Sequence, residues 1–493
     1  MESVCVCGCK CAFPAGDLAD AIQEKINRSN AGIVEKQAET QIKTRRNRME
    51  YSEYMETLKE QIHNRHARAF VAEEIEGHIL EQAKDYEEEG MSHEEALKEA
   101  VHQMGDPVET GSRLNQIHRP VFPWKMMLLA LLLTFISVGM SVVAARETGW
   151  QTVGMQYLGG LLTVHVIEFL IIAGILFLNY TVFMRHTREL YFGYLVFLLL
   201  CQISGNFRMD YQIGYLLSYG TQTLFPLFFA GMIYRNRGKE WRGMVKSILW
   251  IAVPSFLLLH FGNGQLCTAV ILENTFICLL LLLVSVKHGI FGERKNRQFF
   301  ALAGMMLAVG VVFVTLFLPA GSYWRERIAA MLNPASTEAG YQNLMIRREL
   351  SDFKWIGGTS LLPMAQQDDM VETYLLNSIF SYFGVLAGLV VLAVFVCFLC
   401  HAFRQSLHQR NRMGFLLGIA TSSGLLVRVA AYIAINFGYA FWYTTAVPFF
   451  SGNLMDVMVN GIYVGLLFSV LRNKMILGET QAAGKEKKIH LPV

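Results

Sequence analysis

The sequence predicts an all-α polytopic membrane protein with about ten transmembrane helices behind a small soluble helical domain. Three observations carry that prediction. Only 17% of the 493 residues are charged and 53% are hydrophobic, against about 25% charged in an ordinary soluble chain. The deficit is uneven, since residues 1–120 are polar and 121–473 mostly apolar. Within the apolar part, ten runs approach the roughly 20 residues that a helix needs to cross a hydrocarbon core of about 30 Å. Lipid leaves no water for backbone groups, so such runs must be helices or barrel strands, and runs this continuous favour helices.

Taken in order, the chain starts with a segment, 1–48, that contains "CVCGCKC" at Cys5, Cys7, Cys9 and Cys11. Thiolates at that spacing can hold a soft metal. The plainer reading is a disordered or mispredicted start, with Met49 as the true one. None of the nine cysteines lies in the long polar stretch 319–373, so no disulfide framework is expected. Residues 49–120 read as a helical domain. Ser92 and Glu95 have capping-box spacing. Ala96, Leu97, Ala100, Val101 and Met104 share one helical face. Gly105 is a stop, and Asp106-Pro107 opens the next helix. Before it, Ile75, Ile79 and Ala83 line one side of another helix. Five scattered histidines there read as solvated. The segment resembles the small helical prefix domains that precede membrane domains in permeases of Gram-positive bacteria.

The apolar runs fall at about 124–144, 156–178, 189–204, 212–233, 246–261, 266–286, 298–318, 374–400, 413–436 and 450–471. With 1–120 taken as cytoplasmic, the short inner loops hold fourteen Lys and Arg and the short outer loops only Arg146 and Arg208, a positive-inside bias. The basic tail 474–493 then lies inside, and 319–373 becomes a long outer loop. Charges inside the spans are rare and usually face the bundle interior. Here they are His165, Glu168, Glu273, Arg428 and Asp456. Glu273 and Arg428 lie about 10–12 Å below their outer ends at 1.5 Å per residue. They can pair as a buried bridge or line an anion groove.

In the outer loop, "YWRERIAAMLNPASTEAGYQ" carries Arg327-Ile328, Leu332-Asn333-Pro334 and Gly340-Tyr341-Gln342. "WIGGTS" follows at Trp355 to Ser360. The last two spans place Asn436, Gly438, Pro448, Phe449, Ser451, Asn460, Gly465 and Ser469 in an ungapped pattern. In order and spacing these residues resemble the SEDS family of shape, elongation, division and sporulation proteins (FtsW, RodA and SpoVE) over about 122–473.

The resemblance implies polymerisation of peptidoglycan glycan strands from lipid II, an undecaprenyl-linked precursor, at the outer face of the bacterial plasma membrane. It implies a class B penicillin-binding protein as partner and both termini in the cytoplasm. A family Asp in a Pro-x-x-x-Thr-Asp-Phe setting is thought to be the base. Counting forward from Pro363, that position falls on Asp368, next to Asp369. Counting back from Gly384, it falls on Thr373, beside Glu372. An insertion therefore sits between the two landmarks, and the base is Asp368 or Asp369, or has moved to Glu372, or is lost. The chemistry needs a carboxylate to take a sugar hydroxyl proton and cations or amides to hold the departing diphosphate. Arg325, Arg327, Gln342, Arg428, Glu273 and Asp456 are the candidates for that substrate contact, and the outer-loop pair Arg325 and Arg327 can equally anchor the loop.

Several family positions differ. Gly358 stands where the family has a lysine. Gln265 replaces an acid in "GQLCTA", "QTLF" (Gln222 to Phe225) lacks one, and Arg208 alone marks the approach to it. A non-catalytic scaffold or regulator of a penicillin-binding protein, and a flippase for the lipid-linked precursor, are the competing readings. Neither needs Asp368. The resemblance implies no cofactor, and a divalent cation is left open. Membrane lipids are expected partners. No nucleotide- or nucleic-acid-binding pattern occurs.

Overall fold

The computed structural model describes residues 51–63, 65–117, 119–147, 153–206, 223–261, 264–317, 322–358, 373–409, 411–440 and 447–474. The chain divides into two compact units, one up to Arg119 and one from Pro120. Among the described residues every regular element is a helix.

The first unit contains α1 (51–61), α2 (Arg65–Glu88), α3 (His93–Gln103) and α4 (Pro107–Ile117). The Ser92 hydroxyl oxygen accepts from Glu95 N and its O–H donates to the Glu95 carboxylate, which closes the cap of α3. Gly105 takes φ +75, and the Asp106 side chain accepts from Val108 N at the start of α4. Leu58, Ile62, Ile79, Ala83, Ala96 and Ala100 form the small core. Burial, with Glu76 beside it, pushes the Tyr51 hydroxyl up to about 12.

The second unit begins with α5 (Trp124–Glu147), α6 (Val153–Phe177), the short α7 (Tyr180–Arg185), α8 (Thr187–Asn206) and α9 (Phe225–Arg235). It continues with α10 (Glu240–Phe261), α11 (Gly264–Lys287) and α12 (Lys295–Phe317). Two further helices, α13 (Tyr323–Leu332) and α14 (Tyr341–Leu350), lie in the predicted polar loop. The last four are α15 (Leu375–Phe383), α16 (Val385–Leu407), α17 (Arg412–Asn436) and α18 (Leu454–Arg472). By length and composition six of the described helices can cross a membrane: α5, α6, α11, α16, α17 and α18. Helices α8, α10 and α12 occupy three more predicted spans, and α9 is the described end of another.

The eighth predicted span is two helices. Gly384 breaks it with φ +96, and a Cβ there would lie 2.9 Å from the Trp355 carbonyl oxygen. The opposite ends of the central bundle are pinned by close packing. Gly461 and Gly465 of α18 face Ile171 and Ile175 of α6, and a Cβ on Gly465 would sit 2.8 Å from Ile175 Cβ. Small residues four apart let two membrane helices approach this closely. One turn further on, Ser469 Oγ donates to Leu178 O at 2.6 Å. Helices α9, α17 and α18 are the most buried, so the interior of the unit is built on them. The end of the bundle that carries α13 and α14 is called the loop end below.

Candidate functional site

Helices α13 and α14 form a cap whose geometry follows from the Leu332-Asn333-Pro334 and Gly340 motifs. A Cβ on Gly340 would fall 2.2 Å from the Pro334 carbonyl oxygen, so only glycine lets the chain fold back there. The cap is tied to the turn after α17. Asn343 Nδ2 donates to Ala330 O and to Ala440 O, both at 3.2 Å, and Asn343 Oδ1 accepts from Ala440 N at 3.2 Å. Arg347 Nε donates to Gly438 O at 2.9 Å, its Nη2 bonds Met331 O, and its guanidinium stacks on Tyr439. Burial, with Asp352 nearby, raises the Glu349 carboxyl above its ordinary range.

Among the predicted cap residues, Arg327 Nε donates to Tyr323 Oη at 2.9 Å, one turn back on its own helix. The Arg325 side chain is exposed, and Gln342 is half-buried on α14. Asp456 is buried in the first turn of α18 and accepts from Ser451 Oγ at 3.2 Å.

Asp368, Asp369 and Glu372 lie outside the described residues, as do Arg208, Gln222 and Cys5 to Cys11. The described chain resumes at Thr373, and that point is firmly held. Asn436 Nδ2 donates to Thr373 O at 3.0 Å and to Tyr432 O at 2.9 Å. Asn436 Oδ1 accepts from Asn377 N at 2.8 Å, and Asn377 Nδ2 donates to Asn436 O at 2.9 Å. Tyr432 Oη accepts from Leu376 N at 3.2 Å. Buried amides in an apolar run must find partners, and these two use that need to fix the start of α15 to the end of α17. The other border of the segment is also built. Gly357 N donates to Phe383 O at 3.0 Å, and a Cβ on Gly358 would lie only 1.6 Å from the Ser381 carbonyl oxygen. The lysine-to-glycine change read in the sequence is thus a close backbone contact.

Eight residues below Asn436 on α17, about 12 Å along the helix, lies Arg428. It is 2% exposed. Nη1 donates to Asn460 Oδ1 of α18 at 3.0 Å and Nη2 to Thr223 O at 3.5 Å. The guanidinium lies 4.2 Å over the Tyr463 ring, whose hydroxyl donates to the same Thr223 carbonyl at 2.6 Å. Thr223 can serve because its carbonyl precedes α9, where no helical turn consumes it. Arg428 Nε and Asn460 Nδ2 are buried and find no partner among the described residues. Glu273 is buried on α11 within electrostatic reach of Arg428. Yet no ion pair within 4.0 Å joins them among the described residues, so the bridge expected from equal depth does not form. Depth fixes height along a helix but not the direction in which a side chain turns, and the guanidinium turns to an amide, a carbonyl and an aromatic face.

A second buried group sits on α6. His165 Nδ1 and Glu168 Oε2 are 3.1 Å apart, and Glu168 Oε1 accepts from Phe449 N at 3.4 Å. Phe449 has φ +69, so the carboxylate holds the main chain at a strained turn ahead of α18. The sequence offered Glu168 as an intramembrane charge but gave no sign of that partner. Asn460, Tyr463 and Asn377 were likewise missed as members of the site. Their signal is a polar side chain on an otherwise apolar run.

No family model and no curated protein matches the chain. Among solved structures, one chain from a study of the structural coordination of polymerization and crosslinking by a peptidoglycan synthase complex superposes with a TM-score of 0.54 at 15% identity, over 72% of this chain and 98% of that one. The rod shape determining protein RodA of Thermus thermophilus aligns over the same shares at 13% identity with a TM-score of 0.44, and an Asp-to-Ala variant of it with 0.46. The first of these bears out the SEDS resemblance at the level of fold.

Proposed function

We propose that this SEDS-fold membrane protein is a divergent member of the bacterial cell-wall machinery that joins lipid II units into glycan strands at the outer membrane face. On this reading the loop end of the bundle is the outer face. A penicillin-binding protein of class B cross-links the product. The observation that carries the reading is the Arg428 guanidinium. It is buried and, among the described residues, has no carboxylate within 4.0 Å and no partner for Nε, while Asn460, which it bonds through Nη1, has none for Nδ2. It stands about 12 Å below Asn436, the residue that holds Thr373, the exit of the carboxylate-bearing segment.

In the proposed reaction Asp368 takes the proton of the attacking sugar hydroxyl. The new glycosidic bond forms at the anomeric carbon as the bond to the diphosphate oxygen breaks. The leaving diphosphate carries the electron pair, and Arg428 and Asn460 bind its charge in a water-poor site where such contacts are strongest. Asp369 and Glu372 are the alternative bases. Purified protein, with and without the penicillin-binding protein, is to be given labelled lipid II alongside Asp368→Ala, Asp369→Ala, Glu372→Ala and Arg428→Met. Loss of glycan in Asp368→Ala identifies the base, and loss in Glu372→Ala moves it. No polymer from folded wild-type protein under either condition refutes the enzyme.

Gly358 favours a second reading, a scaffold that holds the penicillin-binding protein without catalysing. The backbone contact to Ser381 leaves no room for the family lysine. Capture of the partner by protein that makes no polymer is its signature.

A further inference from the structure

We infer that residues 354–357 are a membrane-interface anchor, which seats Trp355 and Ile356 in the headgroup boundary of the bilayer at the loop end. Three backbone hydrogen bonds fix the height of this turn. Val385 N donates to Lys354 O at 2.9 Å, Leu386 N to Trp355 O at 3.2 Å, and Gly357 N to Phe383 O at 3.0 Å. Val385 is the first residue of the membrane-crossing helix α16. The turn therefore cannot rise away from the point at which that helix enters the bilayer.

The side chains at this height are apolar and uncovered. Trp355 is 70% exposed and Ile356 77%. Leu386, bonded to Trp355 through its backbone, is exposed too, and so are Leu389, Val390 and Val396 further along α16. Those positions recur at i, i+3, i+4 and i+10, one stripe of a helix. On a membrane-crossing helix an exposed apolar stripe faces lipid, and Leu386 at the start of the stripe is bonded through its backbone to Trp355. Tryptophan favours the boundary, where one end of the ring is dry and the other wet. Lys354 is exposed next to it, and its long stem can reach lipid phosphates. The occupant assigned to this surface is thus the bilayer itself.

The anchor borders the segment that carries Asp368, Asp369 and Glu372. In sequence, residues 359–372 fall between that turn and the amide clamp at Thr373. The inference requires only that α16 crosses a membrane and assumes no activity.

The test uses the full chain in vesicles of phosphatidylethanolamine and phosphatidylglycerol. Ile356→Cys, in a background with the native cysteines replaced by serine or alanine, is labelled with an environment-sensitive fluorophore. The expected result is blue-shifted emission, stronger quenching by lipids spin-labelled near the headgroup than near the chain end, and protection from aqueous iodide. Should the cysteine-free background fail to fold, the native chain and Trp355→Phe are compared in brominated lipids, and the variant is expected to lose a quenchable, blue-shifted component. A label quenched by iodide and indifferent to lipid quenchers overturns the anchor. So does a site that is shielded only when the penicillin-binding protein is bound, since the occupant is then a protein.

Discussion

Asn436→Ala tests whether the start of α15 is held by the amide clamp. The substitution removes three side-chain hydrogen bonds, those to Asn377 N at 2.8 Å, Thr373 O at 3.0 Å and Tyr432 O at 2.9 Å. Tyr432 O loses little, because a carbonyl inside a helix already accepts from the backbone. Asn377 N and Thr373 O are left without their partner. An orphaned buried group costs about 1–3 kcal/mol, which gives about 2–6 kcal/mol for the pair. Water that reaches the helix end can re-solvate Thr373 O, so the lower half, about 2–4 kcal/mol, is expected. The Asn377 Nδ2 bond to Asn436 O uses the backbone and survives. The damage should therefore be local. In hydrogen exchange of the detergent-solubilised protein, amides of 373–378 are expected to exchange about 30–700-fold faster, the same energies converted at 1.4 kcal/mol per factor of ten. Helix α18 should be unchanged. An unaltered exchange rate at 373–378 would refute the clamp, and a uniform increase across the bundle would show that Asn436 supports the whole unit instead.

Three further outcomes follow from single contacts. Gly358→Lys restores the family residue but sets a Cβ 1.6 Å from the Ser381 carbonyl oxygen. The variant is expected to melt well below wild type in a detergent thermal-shift assay, whereas Gly357→Ala, strained only by φ +68, should lose about 1–2 kcal/mol. Gly465→Leu is expected to separate α6 from α18, lowering the melting temperature and increasing the reactivity of a cysteine introduced at Ile175. Glu349 has a raised carboxyl, so the folded state holds its proton at a pH where the unfolded state has released it. Stability from this group is present at low pH and declines as pH rises from the ordinary value of about 4.3 towards the raised one. Glu349→Gln should flatten that slope in melts taken from pH 4 to pH 7.

Much of the fold was legible because it rests on local rules. The cap at Ser92, the stop at Gly105 and the apolar runs each depend on neighbours within a few residues, and where described they reappear as helix ends or helices. The Pro334 and Gly340 motif was legible as a pattern, and its reason is the approach of the two residues within 2.2 Å of a would-be Cβ. What stayed hidden involves partners far apart in sequence. Arg428 and Thr223 are 205 residues apart, and Phe449 and Glu168 are 281 apart. In both cases one partner is a backbone group in a turn ahead of a helix, and no side-chain pattern encodes that.

The same two contacts say why the buried charges sit where they do. Buried backbone outside regular helix needs its polar groups satisfied within the protein. Arg428 and Tyr463 serve the Thr223 carbonyl, and Glu168 serves the Phe449 amide. Each charge thus has a structural duty before any chemistry is asked of it. They differ in what remains afterwards. Glu168 has one oxygen on His165 and the other on Phe449, so each already has a protein partner. Arg428 retains Nε, and its neighbour Asn460 retains Nδ2, two buried donors without a partner among the described residues. Arg428→Met with Asn460→Leu separates duty from surplus. If the donors serve only the fold, the double variant should fall in stability and activity together. If they receive an anion, glycan synthesis should be lost in folded protein, at a temperature well below the lowered melting point of the double variant.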